Sequence, residues 1–202
     1  MAYLILVRHG ESVWNAKGVW TGLTDIPLSE KGKQESRLAA KALKGFKLDV
    51  AYTSPLIRAK QTLDEIVHSL PSPIPQTIEN KALNERDYGV LTGKNKWEIE
   101  KEVGKEMFLK IRRGWNVQIK GGETLKDVYN RAVPYYQKEI LPKLKAGKNV
   151  LIVAHGNSLR ALVKYLENIS DKNVQRLEIA TGEIYIYGLD QDASIIFKEI
   201  KK

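Results

Sequence analysis

The chain of 202 residues contains no cysteine. Disulfides, thiolate nucleophiles and zinc–thiolate sites are therefore excluded, and a reducing, cytoplasmic setting is expected. No run approaches the roughly 18 consecutive apolar residues of a membrane helix, so no membrane partner is expected. Before the first apolar run there is neither the basic region nor the cleavage site of a secretory signal. Histidine is scarce, with only 3 in the chain. Acidic side chains are short in number as well: 24 Asp+Glu face 33 Lys+Arg, for a net charge of +9. Such a charge attracts anions, whether phosphorylated metabolites, nucleic acid or acidic membranes. The lysines alternate with glutamates, as between Lys96 and Lys110, which is the pattern of a solvated helix face. No zinc-finger spacing, aromatic–basic stripe or RNP-like run accompanies them, so nucleic acid is not an expected partner.

What is present begins with a repeated pattern. Tyr3–Val7 runs into Arg8-His9-Gly10-Glu11-Ser12, and Val150–Ala154 runs into His155-Gly156-Asn157-Ser158. Both apolar runs read as buried strands stopped by a glycine turn. Further strands are predicted at Asp49–Thr53, Ile184–Leu189 and Ser194–Lys198. Helices are predicted from a Ser29 cap to about Leu43, after Thr53-Ser54-Pro55 until Pro71-Ser72-Pro73, from a Thr124 capping box to about Leu144, and directly after His155. Pro134 is expected to kink the third of these. Alternating strands and helices imply an α/β fold, a three-layer sandwich whose mostly parallel central sheet carries helices on both faces. The stretch of about 83–122, rich in Lys, Glu, Gly and Trp, fits a small helical and loop cap over the C-terminal strand ends. One domain spanning 1–202 is expected.

Ligands of open α/β sheets sit outside the carboxyl ends of the strands, so one cleft should face His9 and His155. Arg8 and Arg58 can add planar forks suited to phosphate oxygens. Gly156 and Asn157 begin a helix, whose free N–H groups and dipole favour an anion. A neutral imidazole can accept a phosphoryl group, and surrounding arginines would neutralise the transferring oxygens. His68, late in a helix beside Ser69, reads as a surface residue. Gly89-Val90-Leu91-Thr92-Gly93-Lys94 resembles a P-loop but is one residue short, ends in Asn95 and follows no strand. No carboxylate–histidine cluster has metal-ligand spacing, so no metal is expected.

These residues, in this order, resemble the histidine phosphatase superfamily, and within it the cofactor-dependent phosphoglycerate mutases. The resemblance rests on Arg8-His9-Gly10-Glu11-Ser12-Val13-Trp14-Asn15, Trp20-Thr21-Gly22, Pro27–Gly32, and Tyr52-Thr53-Ser54 leading to Arg58-Ala59. It continues through Leu83–Gly89, Asn95-Lys96, Arg112-Arg113 and His155–Leu162. It implies that His9 carries the phosphoryl group, held by Arg8, Arg58, Asn15 and His155. Glu85 would be the general acid/base for the substrate hydroxyl. Thr21, Gly22, Arg86, Tyr88, Lys96, Arg112, Arg113 and Asn157 would grip the substrate's phosphate and carboxylate. The implied reaction interconverts 3-phosphoglycerate and 2-phosphoglycerate, primed by 2,3-bisphosphoglycerate, in glycolysis and gluconeogenesis. The implied partners are small phosphorylated three-carbon acids, and the enzyme would be a homodimer or a monomer.

Two features depart from the family pattern. Asp87 stands where members usually have histidine, and the chain passes from Arg113 to Gly121-Gly122 without the longer loop of many relatives. The short loop, with a short tail after the last strand, raises a second reading: a phosphatase in which water takes the phosphoryl group. A third reading, a non-catalytic binder of phosphorylated or nucleic-acid partners, is motivated by the charge and opposed by His9, His155 and Glu85 together.

Overall fold

The computed structural model describes all 202 residues. In chain order the elements are β1 (Ala2–Arg8), α1 (Val13–Ala16), α2 (Glu30–Ala42), β2 (Val50–Thr53), α3 (Ile57–Ser69), β3 (Thr77–Glu79), α4 (Lys96–Val103), α5 (Lys105–Arg113), α6 (Leu125–Tyr135), α7 (Leu141–Lys145), β4 (Val150–Ala154), α8 (Gly156–Leu166), β5 (Ile184–Leu189) and β6 (Ile195–Lys201). The strands form one sheet in the order β3-β2-β4-β1-β5-β6. β3, β2, β4 and β1 are mutually parallel, while β5 and β6 run antiparallel at one edge.

The apolar runs become strands because both of their faces are covered. Ala2, Leu4 and Leu6 pack with α6, α7 and α8 residues on one face, whereas Ile5 and Val7 pack with α2 and α3 on the other. β4 has every residue fully buried, including Ile152 at 0% exposure. Sheets covered on both faces favour such unbroken β-branched and leucine-rich runs over alternation. Truncating Ile152 to Ala would cost about 2–5 kcal/mol through lost burial and a residual cavity.

Caps fix the helix starts that the sequence suggested. The Ser29 hydroxyl accepts from the Gly32 N–H at 3.1 Å, and Thr124 and Asp127 exchange reciprocal bonds at the start of α6. The long helix after Thr124 carries Pro134 inside α6. α-Helical geometry continues through that residue, and a π-helical turn follows at Tyr136–Ile140, with Leu141 N–H donating to Tyr136 O. Pro142 comes immediately afterwards and has no N–H; widening the turn before it relieves the clash of its ring with the preceding carbonyls. The strand β3 was not anticipated. It is a three-residue edge strand, more exposed than buried, lying between proline-rich turns and Asn80, so neither length nor alternation announces it.

Between β3 and α6 the chain leaves the sheet and builds the cap. Two 3-10 turns, Lys81–Leu83 and Gly89–Leu91, precede α4 and α5. Trp20, Tyr88, Ile99, Phe108 and Ile119 form a separate small core beneath these elements.

Candidate active site

Sheet register brings the two His-Gly turns together. Arg8 is paired with Ala154 in the parallel β1–β4 ladder, and His9 N–H donates to the Ala154 carbonyl at 2.9 Å. The following residues, His9 and His155, therefore emerge side by side with ring centroids 4.9 Å apart. Gly10 permits the turn after His9. A Cβ there would come within 2.2 Å of the Gly32 carbonyl oxygen, so only glycine lets the strand end nest against the start of α2.

The His9 ring is 2% exposed, and its Nδ1 lies 2.6 Å from the Gly10 carbonyl oxygen. A carbonyl can only accept, so Nδ1 carries the proton and Nε2 keeps its lone pair. Burial, then the positive charges of Arg58 and Arg8, hold this imidazole well below its ordinary 6.5. The result is a neutral ring with a free nucleophilic nitrogen. His155 is fully buried behind it, and burial followed by the Arg58 charge likewise keeps it neutral. Its Nε2 bonds Ser54 Oγ at 2.6 Å, while Nδ1 has no partner.

Thirteen of the expected site residues line one cavity over these strand ends: Arg8, His9, Asn15, Thr21, Gly22, Arg58, Glu85, Tyr88, Lys96, Arg112, Arg113, Gly156 and Asn157. Two expectations need correction in placement. His155 is not in the wall but packed against His9, because its position at the start of α8 tucks it under the turn. Arg86 is also turned away from the cavity. Its guanidinium is fully buried and donates to the carbonyls of Glu123, Ile111 and Val117 at 2.5, 2.9 and 3.1 Å. It ties the cap together rather than presenting charge to a ligand.

The polar groups of the wall are held so that particular donors stay free. Arg58 donates to the Gly22 and Thr24 carbonyls, which aims the head, and burial lowers its pKa to about 10. Arg8 gives one arm to Ile179 O at 2.6 Å and leaves Nε unpartnered. Gly156 lies against this arginine, with a Cβ position in ordinary contact with the guanidinium at 3.5 Å. Asn15 spends its Oδ1 on the Ser12 N–H, leaving its amide NH2 available. Thr21 Oγ1 is buried without a partner. Buried donors normally find acceptors, so this set of unmet donors asks for an anion.

Glu85 is fixed by one oxygen. Its Oε1 accepts from Arg86 N–H at 2.7 Å, Asn157 N–H at 3.2 Å and Asn157 Nδ2 at 3.0 Å, which leaves Oε2 without a protein donor. The loop carrying it is pinned from below by Arg131, which donates to the carbonyls of Ala82, Asn84 and Glu85. Asp87 faces away, bonding Gly89 N–H at 2.8 Å and turning the chain into the cap. On the outer side, Lys96 lies 5.6 Å from the Trp20 ring, and burial with the Arg112 and Arg8 charges lowers its pKa to about 8.

Sequence reasoning missed Trp20, Arg160, Leu177, Glu178 and Ile179, which also line the cavity. Arg160 had a signal: it lies one helical turn after Asn157 and donates to that residue's Oδ1 at 2.9 Å. This fixes the amide so that its NH2 faces Glu85 and the Tyr88 hydroxyl. The segment 177–179 had none, being an irregular loop far along the chain.

Known proteins share this sequence and this fold. The sequence model of the histidine phosphatase superfamily (branch 1) matches residues 4–198. A 2,3-bisphosphoglycerate-dependent phosphoglycerate mutase of Bradyrhizobium diazoefficiens is 48% identical over 197 residues, covering 96% of this chain and 95% of that protein. The protein of the same name from Parvibaculum lavamentivorans is 46% identical, covering 98% and 95% respectively. Among solved structures, one titled Mycobacterial hydrolase 1 superposes with a TM-score of 0.82 at 21% identity, over 100% of this chain and 98% of that one, and so shares the fold. With its paired strand-end histidines, its match over nearly the whole length and its relatives near half identity, the chain belongs to the histidine phosphatase superfamily, branch 1.

Proposed function

We propose that this chain is a 2,3-bisphosphoglycerate-dependent phosphoglycerate mutase that interconverts 3-phosphoglycerate and 2-phosphoglycerate through phosphorylated His9. The observation that carries the reading is the union in one cavity of a neutral, tautomer-fixed His9 with a carboxylate, Glu85, that keeps one oxygen free. A pure anion binder needs neither group. The likeness to relatives near 48% identity supports the choice of substrate, and those relatives are matched over 95% of their own length. That coverage leaves little room in them for a longer loop or tail, so a short connection after Arg113 is compatible with mutase activity.

The chemistry follows from the positions. His9 Nε2 attacks the phosphorus in line, and the leaving oxygen departs on the opposite side. Arg8, Arg58, the Asn15 amide and the Gly156 N–H neutralise the equatorial oxygens, as phosphoryl transfer requires. His155, buried against His9 and bonded to Ser54 Oγ, supports the nucleophile from behind. Glu85 Oε2 takes the proton of the acceptor hydroxyl as the phosphoryl group moves onto it, and returns a proton in the reverse step, a role worth about 10²–10⁴-fold. Bound 2,3-bisphosphoglycerate supplies the phosphoryl group that primes His9. The residues fit it, since unmet donors lie at the inner end and Lys96, Arg112 and Arg113 at the outer end. The substrates are small phosphorylated acids. The whole chain works as one unit, with about 83–122 as the cap that receives the substrate's distal charges.

Turnover of 3-phosphoglycerate coupled to enolase, with phosphate release followed in parallel, tests the assignment. Isomerisation that depends on 2,3-bisphosphoglycerate and releases little phosphate is expected. Rapid phosphate release without isomerisation would show that water is the acceptor and that the enzyme is a phosphatase.

A further inference from the structure

An acidic side chain stands at the mouth of the cation-lined cavity. Glu178 lies in the loop after a 3-10 turn at Val174–Arg176 and pairs through Oε1 with Arg113, while Arg112 Nη2 is 3.8 Å away. Most arginines near the site are committed to backbone: Arg58, Arg86 and Arg160 all donate to carbonyls. Arg112 and Arg113 differ: neither guanidinium donates to a carbonyl, and Glu178 is the one carboxylate within ion-pair distance of either. The loop itself is anchored on both sides of Glu178, with Leu177 O holding Arg160 and Ile179 O holding Arg8. Its side chain is nevertheless 54% exposed.

We propose that Glu178 is a specificity-determining residue whose carboxylate occupies Arg112 and Arg113 in place of a ligand's distal anionic group, and whose charge limits how tightly the cavity holds a doubly phosphorylated acid relative to a singly phosphorylated one. The inference rests on the mutase reading for its ligand class. Two adjacent arginines at one cavity mouth repel each other, and the carboxylate offsets that repulsion. A ligand reaching this end must take the arginines from Glu178, which then remains as a negative charge beside the ligand. The penalty grows with ligand charge, so it falls hardest on the bisphosphate. The ion pair is half exposed and contributes little to folding, so its removal changes binding without threatening the fold. A cap contact that can be exchanged in this way suits a reaction in which a bisphosphorylated species must turn around within the site.

Calorimetric titration of the full chain decides the matter, in a His9→Ala background that blocks turnover. Glu178→Gln is compared with Glu65→Gln, which makes the same charge change at an ion pair with Arg37 away from the cavity. Glu178→Gln should tighten 2,3-bisphosphoglycerate about tenfold, 3-phosphoglycerate about threefold and inorganic phosphate less than twofold, with the gains shrinking as salt rises. Glu65→Gln should leave all three unchanged. Unchanged or weaker bisphosphate binding in Glu178→Gln overturns the inference, as does an equal gain in Glu65→Gln or an equal gain for inorganic phosphate. If the His9→Ala parent binds inorganic phosphate but neither phosphoglycerate, the mutase reading itself fails and the inference falls with it.

Discussion

The inner and outer ends of the cavity are built on opposite plans. At the inner end His9, His155 and Arg58 are no more than 2% exposed and sit on strand ends or helix starts locked by ladder hydrogen bonds. At the outer end Lys96, Arg112 and Arg113 stand on short cap helices, and the two arginines are partly exposed beside the Glu178 carboxylate. Transfer chemistry needs fixed geometry and neutral imidazole, which burial supplies. Recognition of a substrate's distal anionic groups needs positive charge, which Lys96, Arg112 and Arg113 of the cap supply. The comparison predicts that damage at the inner end abolishes the chemistry, while damage at the outer end redirects or weakens it.

The largest effect is expected from His9→Ala. Acid-labile phosphoryl labelling of the protein should vanish together with isomerisation; persistent labelling would move the nucleophile elsewhere. Glu85→Gln keeps shape and loses the proton shuttle, so kcat should fall about 10²–10⁴-fold with KM little altered. A change in KM alone would make Glu85 a binding group only.

Protonation separates the two ends more gently. The folded-state pKa values of His9 and His155 lie below 6.5, so between those values and 6.5 the unfolded chain binds more protons than the folded one. Their contribution to stability is complete above about pH 6.5 and is lost as pH falls below it. The melting temperature should therefore drop between pH 7.5 and 5.5, and a His9→Gln/His155→Gln protein should show a flatter slope there. An equal slope would place the protonation elsewhere. Lys96, lowered to about 8, loses its charge as pH rises through that value. Substrate capture, read as kcat/KM, should decline modestly above about pH 8 in the native protein and hold in Lys96→Arg. A decline that persists unchanged in Lys96→Arg would mean another group controls capture.

The same division explains what could be read from sequence. The inner end was legible because its signals are local: an apolar run, a glycine turn, then His9 or His155. β1, β4, α2 and α8 followed from pattern and capping residues for the same reason. Residue type alone did not say where a charge is directed. Arg86 looked like a ligand-binding group beside Glu85, yet three cap carbonyls claim its donors. Glu178 was invisible because its meaning depends on a loop meeting Arg112 and Arg113 from 65 or so residues away, a contact only the fold creates. β3 and the π-helical turn before Pro142 were missed because edge exposure and helix widening leave no periodic trace.

The division of labour between the two ends is tested most directly by rapid-quench partitioning of the phosphorylated enzyme. The protein is labelled from radioactive 2,3-bisphosphoglycerate, then mixed with 3-phosphoglycerate, and the label is followed into bisphosphoglycerate or free phosphate. The native protein should pass its label to the sugar acid. Arg112→Ala/Arg113→Ala should still label at His9 but lose most of the label to water. A double variant that cannot be labelled, or one that transfers to 3-phosphoglycerate as efficiently as the native protein, would contradict the account.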